Sequence, residues 1–307
     1  MASPLRRAVT LGVFDGLHLG HRAMVDRLVS AAEHRGLVPT VVTLDPHPDV
    51  VLGHAPARPP LTPLRVQAEL LAAWGAQEFR VLKFDRGLRE TSAEAFVRHY
   101  LVGRLATELL VVGPDFGLGR NREGTPARLR ELGREHGFEV EQVEAVSDAA
   151  GRVSSSRVRH LLDEGRVAEV AGLLGRPFST SGRVGVGRGV GAMLGFPTAN
   201  LEPAEPVYLP ADGVYLGWAR GSFGERAGLV SLGTQPTFGP GERVLELYLL
   251  DFHGDLRDQW ILLEWMKFQR GQQRFHSSDD LVEQMRLDED WARQTLAREG
   301  PPQPGAG

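Results

Sequence analysis

The chain has 307 residues, 42% hydrophobic and 24% charged, with 39 acidic against 35 basic side chains and a formal net charge of −4. That length predicts two domains or one large one, and the charge gives no bulk electrostatic reason to expect nucleic acid or an anionic membrane. Cysteine is absent, which excludes disulfides, thiolate catalysis and cysteine-ligated metal and fits a cytoplasmic home.

From residue 8 to about 143, β-rich runs at 8–13, 37–44, 79–84, 109–112 and 138–143 alternate with helical patterns. One helical pattern covers 19–35, with Met24, Leu28, Ala31 and Ala32 in period, and another covers 93–105. The first run meets Asp15 without a cleavage-like segment, and no stretch approaches the roughly 18 apolar residues of a membrane span, so it reads as a strand. The alternation predicts an α/β doubly wound parallel sheet, whose ligands sit at the carboxyl ends of the strands. The unusual side chains at 15–18, 45–48 and 113–116 fall at those ends.

Two short helical patterns, 156–163 and 167–174, lead to an expected domain boundary near 179. Beyond it, β patterns at 180–186, 213–219, 228–232, 244–252 and 260–268 are separated by glycine, proline and aspartate turns, which suggests an antiparallel barrel. A final helix over about 278–298 is expected to close the barrel with Leu281, Met285, Leu287 and Trp291. Residues 301–307 read as a disordered tail. The expected domains are therefore 1–179 and 180–300.

Lysine occurs only at Lys83 and Lys267, neither after a glycine, so there is no Walker A loop. Phosphate chemistry is expected elsewhere. After the first strand comes Gly12-Val13-Phe14-Asp15-Gly16-Leu17-His18-Leu19-Gly20-His21, followed directly by a helix. His18 and His21, three apart at a helix start, can face one side beside free backbone N–H groups and the positive dipole end, a place for a triphosphate. Gly20 leaves room for close approach of a nucleotide. Such imidazoles suit in-line attack on an α-phosphorus, donating to the phosphoryl oxygens with no covalent enzyme intermediate. Two surface histidines in a helix cap is the bland alternative, and the full string outweighs it.

The second half holds glycines at 185, 187, 189, 191 and 195, then Phe196-Pro197-Thr198-Ala199-Asn200. Gly187, Gly189 and Gly191 allow a backbone loop to wrap phosphates with its own N–H groups. A loose Rossmann pattern is discarded because no helix follows it. Thr198 and Asn200 place a hydroxyl and an amide oxygen on one side of an extended segment, hard ligands suited to Mg2+ bridging ATP phosphates. Glu246, alternating with Val244, Tyr248 and Leu250, is either an edge-strand charge or a base that takes an alcohol's proton during phosphoryl transfer.

The string from Gly12 to His21 resembles the adenylyltransferase half of the bacterial bifunctional riboflavin kinase/FMN adenylyltransferases, or FAD synthetases, of the His-x-Gly-His nucleotidyltransferase superfamily. Thr43-Leu44-Asp45-Pro46-His47-Pro48, Val112-Gly113-Pro114-Asp115-Phe116-Gly117-Leu118-Gly119-Arg120 and Val153-Ser154-Ser155-Ser156-Arg157-Val158-Arg159 match in the family's order. The second half resembles the riboflavin kinase domain, a six-stranded barrel, through 194–201, 212–215, 233–238 and Glu246.

The resemblance implies catalytic roles for His18, His21 and Glu246. It implies a nucleotide loop of Gly12, Phe14, Asp15, Gly16 and Gly20, and a grip on the β and γ phosphates by Ser154, Ser155, Ser156 and Arg159. Thr198 and Asn200 are implied to bind metal and nucleotide, and Asp115, Phe116 and Arg270 to lie on the flavin side; His47, held between Pro46 and Pro48, either lines the flavin site or serves a rigid turn. Leu118 stands where the family usually has phenylalanine, Asp255-Leu256-Arg257-Asp258 replaces Asp-Leu-Tyr-Gly, and Gln272 replaces a glutamate. The implied function is FMN synthesis from riboflavin and ATP, then FAD synthesis from FMN and ATP, with Mg2+ as cofactor. A nucleotidyltransferase for another phosphorylated acceptor and a non-catalytic flavin or nucleotide sensor are the alternatives. The expected partners are these small molecules, with no nucleic acid, no membrane and a monomeric chain.

Overall fold

A computed structural model describes residues 5–53, 56–187, 190–234 and 243–302. Gly189, the 235–238 stretch of the kinase resemblance and the tail residues 303–307 lie outside the described residues. The chain divides into two compact units, one running to Ser155 and the other from Ser156.

The first unit follows the alternation. Strands β1 (Arg7–Gly12), β2 (Val38–Asp45), β3 (Glu78–Lys83), β4 (Thr107–Val112) and β5 (Glu139–Gln142) form one parallel sheet in the order β3-β2-β1-β4-β5. The order reverses between β1 and β4, so a crevice opens beyond their carboxyl ends. Both faces are covered. Val9, Leu11, Val42, Leu110 and Val112 pack with one buried cluster, and Ala8, Val41, Leu109 and Val111 with the other. The alternation of these residues along each strand is what lets helices stack on both sides.

Helix α1 (Leu19–Arg35) has the expected bounds and buries Val25, Leu28, Ala31 and Ala32, ending at Gly36 in the left-handed region. The pattern at 93–105 is only partly α-helical: a four-residue α turn, Ala93–Phe96, runs into a π-helical stretch, Val97–Val102. A helix over Leu64–Ala73 and an exposed hairpin of β6 (Ser147–Asp148) with β7 (Gly151–Arg152) were not singled out from the sequence.

The second unit begins with a helix, Ser155–Asp163, whose first residue closes the first unit, and a second helix, Val167–Leu174. A closed barrel follows, formed by β8 (Phe178–Gly185), β9 (Ala199–Pro203), β10 (Gly213–Gly221), β11 (Gly224–Thr234), β12 (Arg243–Leu249) and β13 (Trp260–Arg270). They lie in the order β10-β11-β12-β9-β8-β13. The C-terminal helix, Ser278–Glu299, starts with a capping box between Ser277 and Asp280. Its packing stripe differs from expectation. Asp288, Ala292 and Thr295 are its buried residues and Leu287 is 56% exposed, so the helix lies along a barrel wall that is already closed. No helix among the described residues is long and apolar enough to cross a membrane.

Candidate functional site

At the end of β1 the chain turns through Gly16 at φ +84 and Leu17 at φ +44 before α1 begins. A left-handed leucine is strained, and here it is held by complete burial. The turn brings His18 and His21 into a stacked pair with ring centroids 3.8 Å apart and planes 14° from parallel. His18 is also the N-cap of α1, its Nδ1 accepting from the backbone N–H of His21 at 3.4 Å. A Cβ at Gly20 would stand 3.1 Å from the His18 ring, so this glycine makes room for the imidazole.

Asp15 and Phe14 serve the loop itself. The Asp15 carboxylate accepts from the N–H groups of Leu61 and Thr62 at 2.7 and 3.2 Å, and its carbonyl accepts from Ser155 Oγ at 2.8 Å. Phe14 is fully buried, with its ring centroid 5.1 Å from that of His21. At the side-chain level these contacts pack and anchor the loop. The Ser155 bond draws Ser154 and Ser155 to the histidine loop, while Ser156 and Arg159 continue along the helix that Ser155 begins. The Arg159 guanidinium lies 5.5 Å from the Tyr208 ring centre, a cation–π partner that no sequence pattern announced.

Beyond β1 and β4 lies a cavity of about 810 Å³ lined by Gly12, Asp115 and Phe116 among others. Its lining is mixed: Leu44, Phe84, Leu88, Phe96 and Leu118 give apolar surface, and Asp49, Glu90, Arg120 and Arg122 give charged surface. His47 does not line it. Its Nδ1 caps the short helix Pro48–Val51 by accepting from Asp49 N–H at 3.1 Å, so the turn role holds for the side chain.

On the barrel, β9 is the strand the sequence reading did not extract, and it sets the geometry. Ala199 is buried while Thr198 and Asn200 flank it, half-buried. Asn200 pairs across strands with Glu246 of β12. Glu246 lies with Val244 and Tyr248 on the less buried face of β12, opposite Leu245, Leu247 and Leu249. Leu250 falls just beyond the strand end, in the buried cluster against which Tyr248 also packs. Tyr248 meets Phe196 edge-on at 5.4 Å, and burial, together with the Glu289 carboxylate, pushes its phenol up from the usual pKa.

The glycine loop folds onto the same two side chains. A Cβ at Gly187 would lie 2.9 Å from Asn200 Nδ2, and one at Gly191 would lie 2.4 Å from the Phe196 carbonyl and 3.0 Å from Thr198 Oγ1. Among the described residues no group of three or more His, Asp or Glu could hold a metal alone. The Thr198 and Asn200 oxygens fit a hard cation that takes its remaining ligands from phosphate and water. Arg270 donates through Nε and Nη2 to Asp288 at 3.0 and 2.5 Å in a buried pair, which anchors the C-terminal helix.

Fold and sites define a two-site, nucleotide-handling chain: a doubly wound half with a paired-histidine helix start, and a barrel with a glycine loop over a Thr/Asn pair. Residues 2–157 match the family model described as FAD synthetase, and 174–296 match the one described as riboflavin kinase. A bifunctional riboflavin kinase/FMN adenylyltransferase of Listeria monocytogenes is 35% identical over 298 residues, 96% of this chain and 94% of that protein. The Escherichia coli K12 protein of the same description is 37% identical over 290 residues, 93% of this chain and 91% of that one. A crystal structure of a macrolide-efflux protein from Streptococcus pneumoniae superposes with a TM-score of 0.87 at 29% identity, covering 95% of both chains. The chain belongs to the bifunctional riboflavin kinase/FMN adenylyltransferase family.

Proposed function

We propose that this flavin-cofactor enzyme runs its two reactions at separate sites, adenylylation of FMN within 1–179 and phosphorylation of riboflavin within 180–300. The alternatives of a different acceptor or a non-catalytic sensor are not favoured, because both halves match their families over nearly their whole length. What carries the reading is the convergence of Gly187, Gly191, Thr198, Asn200 and Glu246 in one half, and of His18, His21 and Ser155 beside a large cavity in the other.

In the first half, His18 and His21 donate to the α-phosphate as the FMN phosphate oxygen attacks it and pyrophosphate leaves. Ser154, Ser155, Ser156 and Arg159 hold the β and γ phosphates, and backbone around Gly12, Gly16 and Gly20 gives the nucleotide close approach. The apolar surface of the cavity takes the flavin ring against Phe116. In the second half, Glu246 takes the proton from the riboflavin hydroxyl that accepts the γ-phosphoryl group. Thr198 and Asn200 hold Mg2+, which when bound supplies charge neutralisation to the ATP phosphates. An ATP-dependent chain without cysteine fits a cytoplasmic setting, and a monomer is the default assembly.

Incubation with riboflavin, ATP and Mg2+ is expected to yield FMN and then FAD by chromatography, and calorimetry to find two nucleotide sites per chain. Formation of neither flavin product would overturn the reading.

A further inference from the structure

The loop 119–123 at the cavity mouth is strained. Asn121 and Arg122 are consecutive non-glycine residues in the left-handed region, at φ +55 and +58. Such backbone persists only where its surroundings over-determine it, and here they do. Arg120 N–H donates to the Thr91 carbonyl at 2.8 Å, and Ala93 N–H donates to the Glu123 carboxylate at 2.8 Å. A Cβ at Gly119 would lie 2.5 Å from Ala93 N, and Leu118 and Gly124 exchange backbone hydrogen bonds that close the loop's base.

The effect of this strain is to aim arginine. Arg120 and Arg122 both line the cavity. Gly117 clears the path for Arg122, since a Cβ there would stand 3.0 Å from the Arg122 Cβ and 3.2 Å from its Nε. The Arg122 guanidinium then donates to the Asp115 carbonyl, a neutral partner, at the end of β4. Two of the carboxylates lining the cavity are already matched by other cations: Glu90 pairs with Arg89, and Asp115 with Arg152. Among the described residues neither Arg120 nor Arg122 forms a salt bridge. Two guanidiniums that pair with no carboxylate among the described residues thus line the cavity, and a phosphate monoester carries ≈ −1.5 to −2 charge at neutral pH.

We infer that Arg122, seconded by Arg120, binds the phosphate monoester of the flavin acceptor and makes the adenylylation site select FMN over riboflavin. This rests on the proposed function of the first half and adds to it the element that chooses the acceptor. Arg122 holds the phosphate before transfer, and the chemistry is unchanged: an FMN phosphate oxygen bonds to the α-phosphorus as the bond to pyrophosphate breaks. Arginine suits the task because its planar fork matches phosphate geometry.

Steady-state FAD formation from FMN and ATP by the full chain tests it, with inorganic phosphate as a competitor. Arg122→Gln is expected to raise KM for FMN by about tenfold or more, as loss of one charge-assisted bond does. KM for ATP and riboflavin phosphorylation stay unchanged, and inhibition by phosphate weakens. Arg122→Lys restores part of the affinity. Asn121→Gly, which relieves the left-handed strain, raises Tm and also raises KM for FMN, because the arginine is less firmly aimed. A wild-type chain that makes FAD while Arg122→Gln keeps its KM for FMN and its inhibition by phosphate overturns this proposal alone. Parallel rises in both KM values with a lower Tm assign Arg122 a structural role and overturn it too. A wild-type chain that makes no FAD from supplied FMN overturns the proposed function and this inference with it.

Discussion

The two proposed phosphate sites are built in opposite ways. In the first half one turn holds the proposed residues: His18, Gly20 and His21 sit within four residues, and the helix start itself stacks the rings at 3.8 Å. In the barrel the proposed residues are spread over strands. Asn200 and Glu246 meet only because β9 pairs with β12, and Gly187 reaches Asn200 only because the loop before β9 folds back. A site made by local geometry withstands loosening of distant structure, whereas one made by strand pairing is tied to the barrel's integrity.

The sharpest way to break this comparison is to disable each site alone. His21→Ala is expected to cut FAD formation by about 10²- to 10³-fold, the usual cost of losing a preorganised donor to developing charge. FMN formation remains. Glu246→Gln is expected to lower riboflavin phosphorylation by about 10²- to 10⁴-fold, the usual contribution of a general base, while supplied FMN is still converted to FAD. Chromatography of both products from each variant checks it, and loss of both activities in either variant would refute independent sites.

The next effect is on stability and falls on the barrel only. Asp288 is 2% exposed and accepts from Arg270, Gln269 and Gln284. Asp288→Asn strands the Arg270 guanidinium, and breaking a buried pair in this way costs about 3–5 kcal/mol. Denaturant unfolding is expected to show that loss together with reduced kinase activity, while adenylylation of FMN stays near wild type below the unfolding transition.

The same contrast explains what could be read in advance. The parallel strands and α1 were legible because apolar periodicity and loop chemistry agree there; α1 runs Leu19–Arg35, as its period says. The class of each half was legible through motifs. The strand β9 was not, because Ala-Asn-Leu-Glu-Pro holds two polar residues and a proline in five, and its pairing partners lie far along the chain. The Arg270–Asp288 pair was not legible, because only the fold brings the two side chains together. The anchoring contacts of Asp15 were not legible either, since its partners are backbone N–H groups at Leu61 and Thr62, which leave no side-chain signature. Apolar periodicity set the bounds of the last helix, but its buried stripe is centred on a charged residue, Asp288, and leaves Leu287 exposed.

A smaller effect separates the two edges of the parallel sheet. At the amino edge, opposite the site, Arg7 holds Glu78 through Nε and Nη2 at 2.8 and 3.0 Å, and Thr40 donates to the same carboxylate at 3.2 Å. The Arg7 guanidinium, aided by Arg80, lowers the Glu78 pKa from an ordinary 4.5 to about 2. A carboxylate depressed by folding contributes stability that is complete above its unfolded pKa and is lost as pH falls through the folded one. The first half is therefore expected to lose stability between pH about 4.5 and about 2. Glu78→Gln flattens that part of the stability curve and leaves FAD formation at neutral pH unchanged. An acid transition of the same slope in the variant would show that other carboxylates govern it.

The smallest change probes the local site at its tightest point. Gly20 lies in the first turn of α1, where alanine is allowed by its backbone and favours helix by roughly 0.5–1 kcal/mol over glycine. The added Cβ would stand 3.1 Å from His18 Cε1 and Nδ1, tight enough that the imidazole must give by a few tenths of an ångström. That ring is the N-cap and is stacked on His21, so moving it disturbs both. Gly20→Ala is expected to leave Tm unchanged or slightly raised while FAD formation falls by about tenfold, a loss that small misplacements of catalytic groups readily cause. Riboflavin phosphorylation, whose residues lie in the other half, should not respond. A variant with raised Tm and full FAD formation would mean that the His18 ring has slack, and that the stacked pair is held by the helix start rather than by the missing side chain at residue 20.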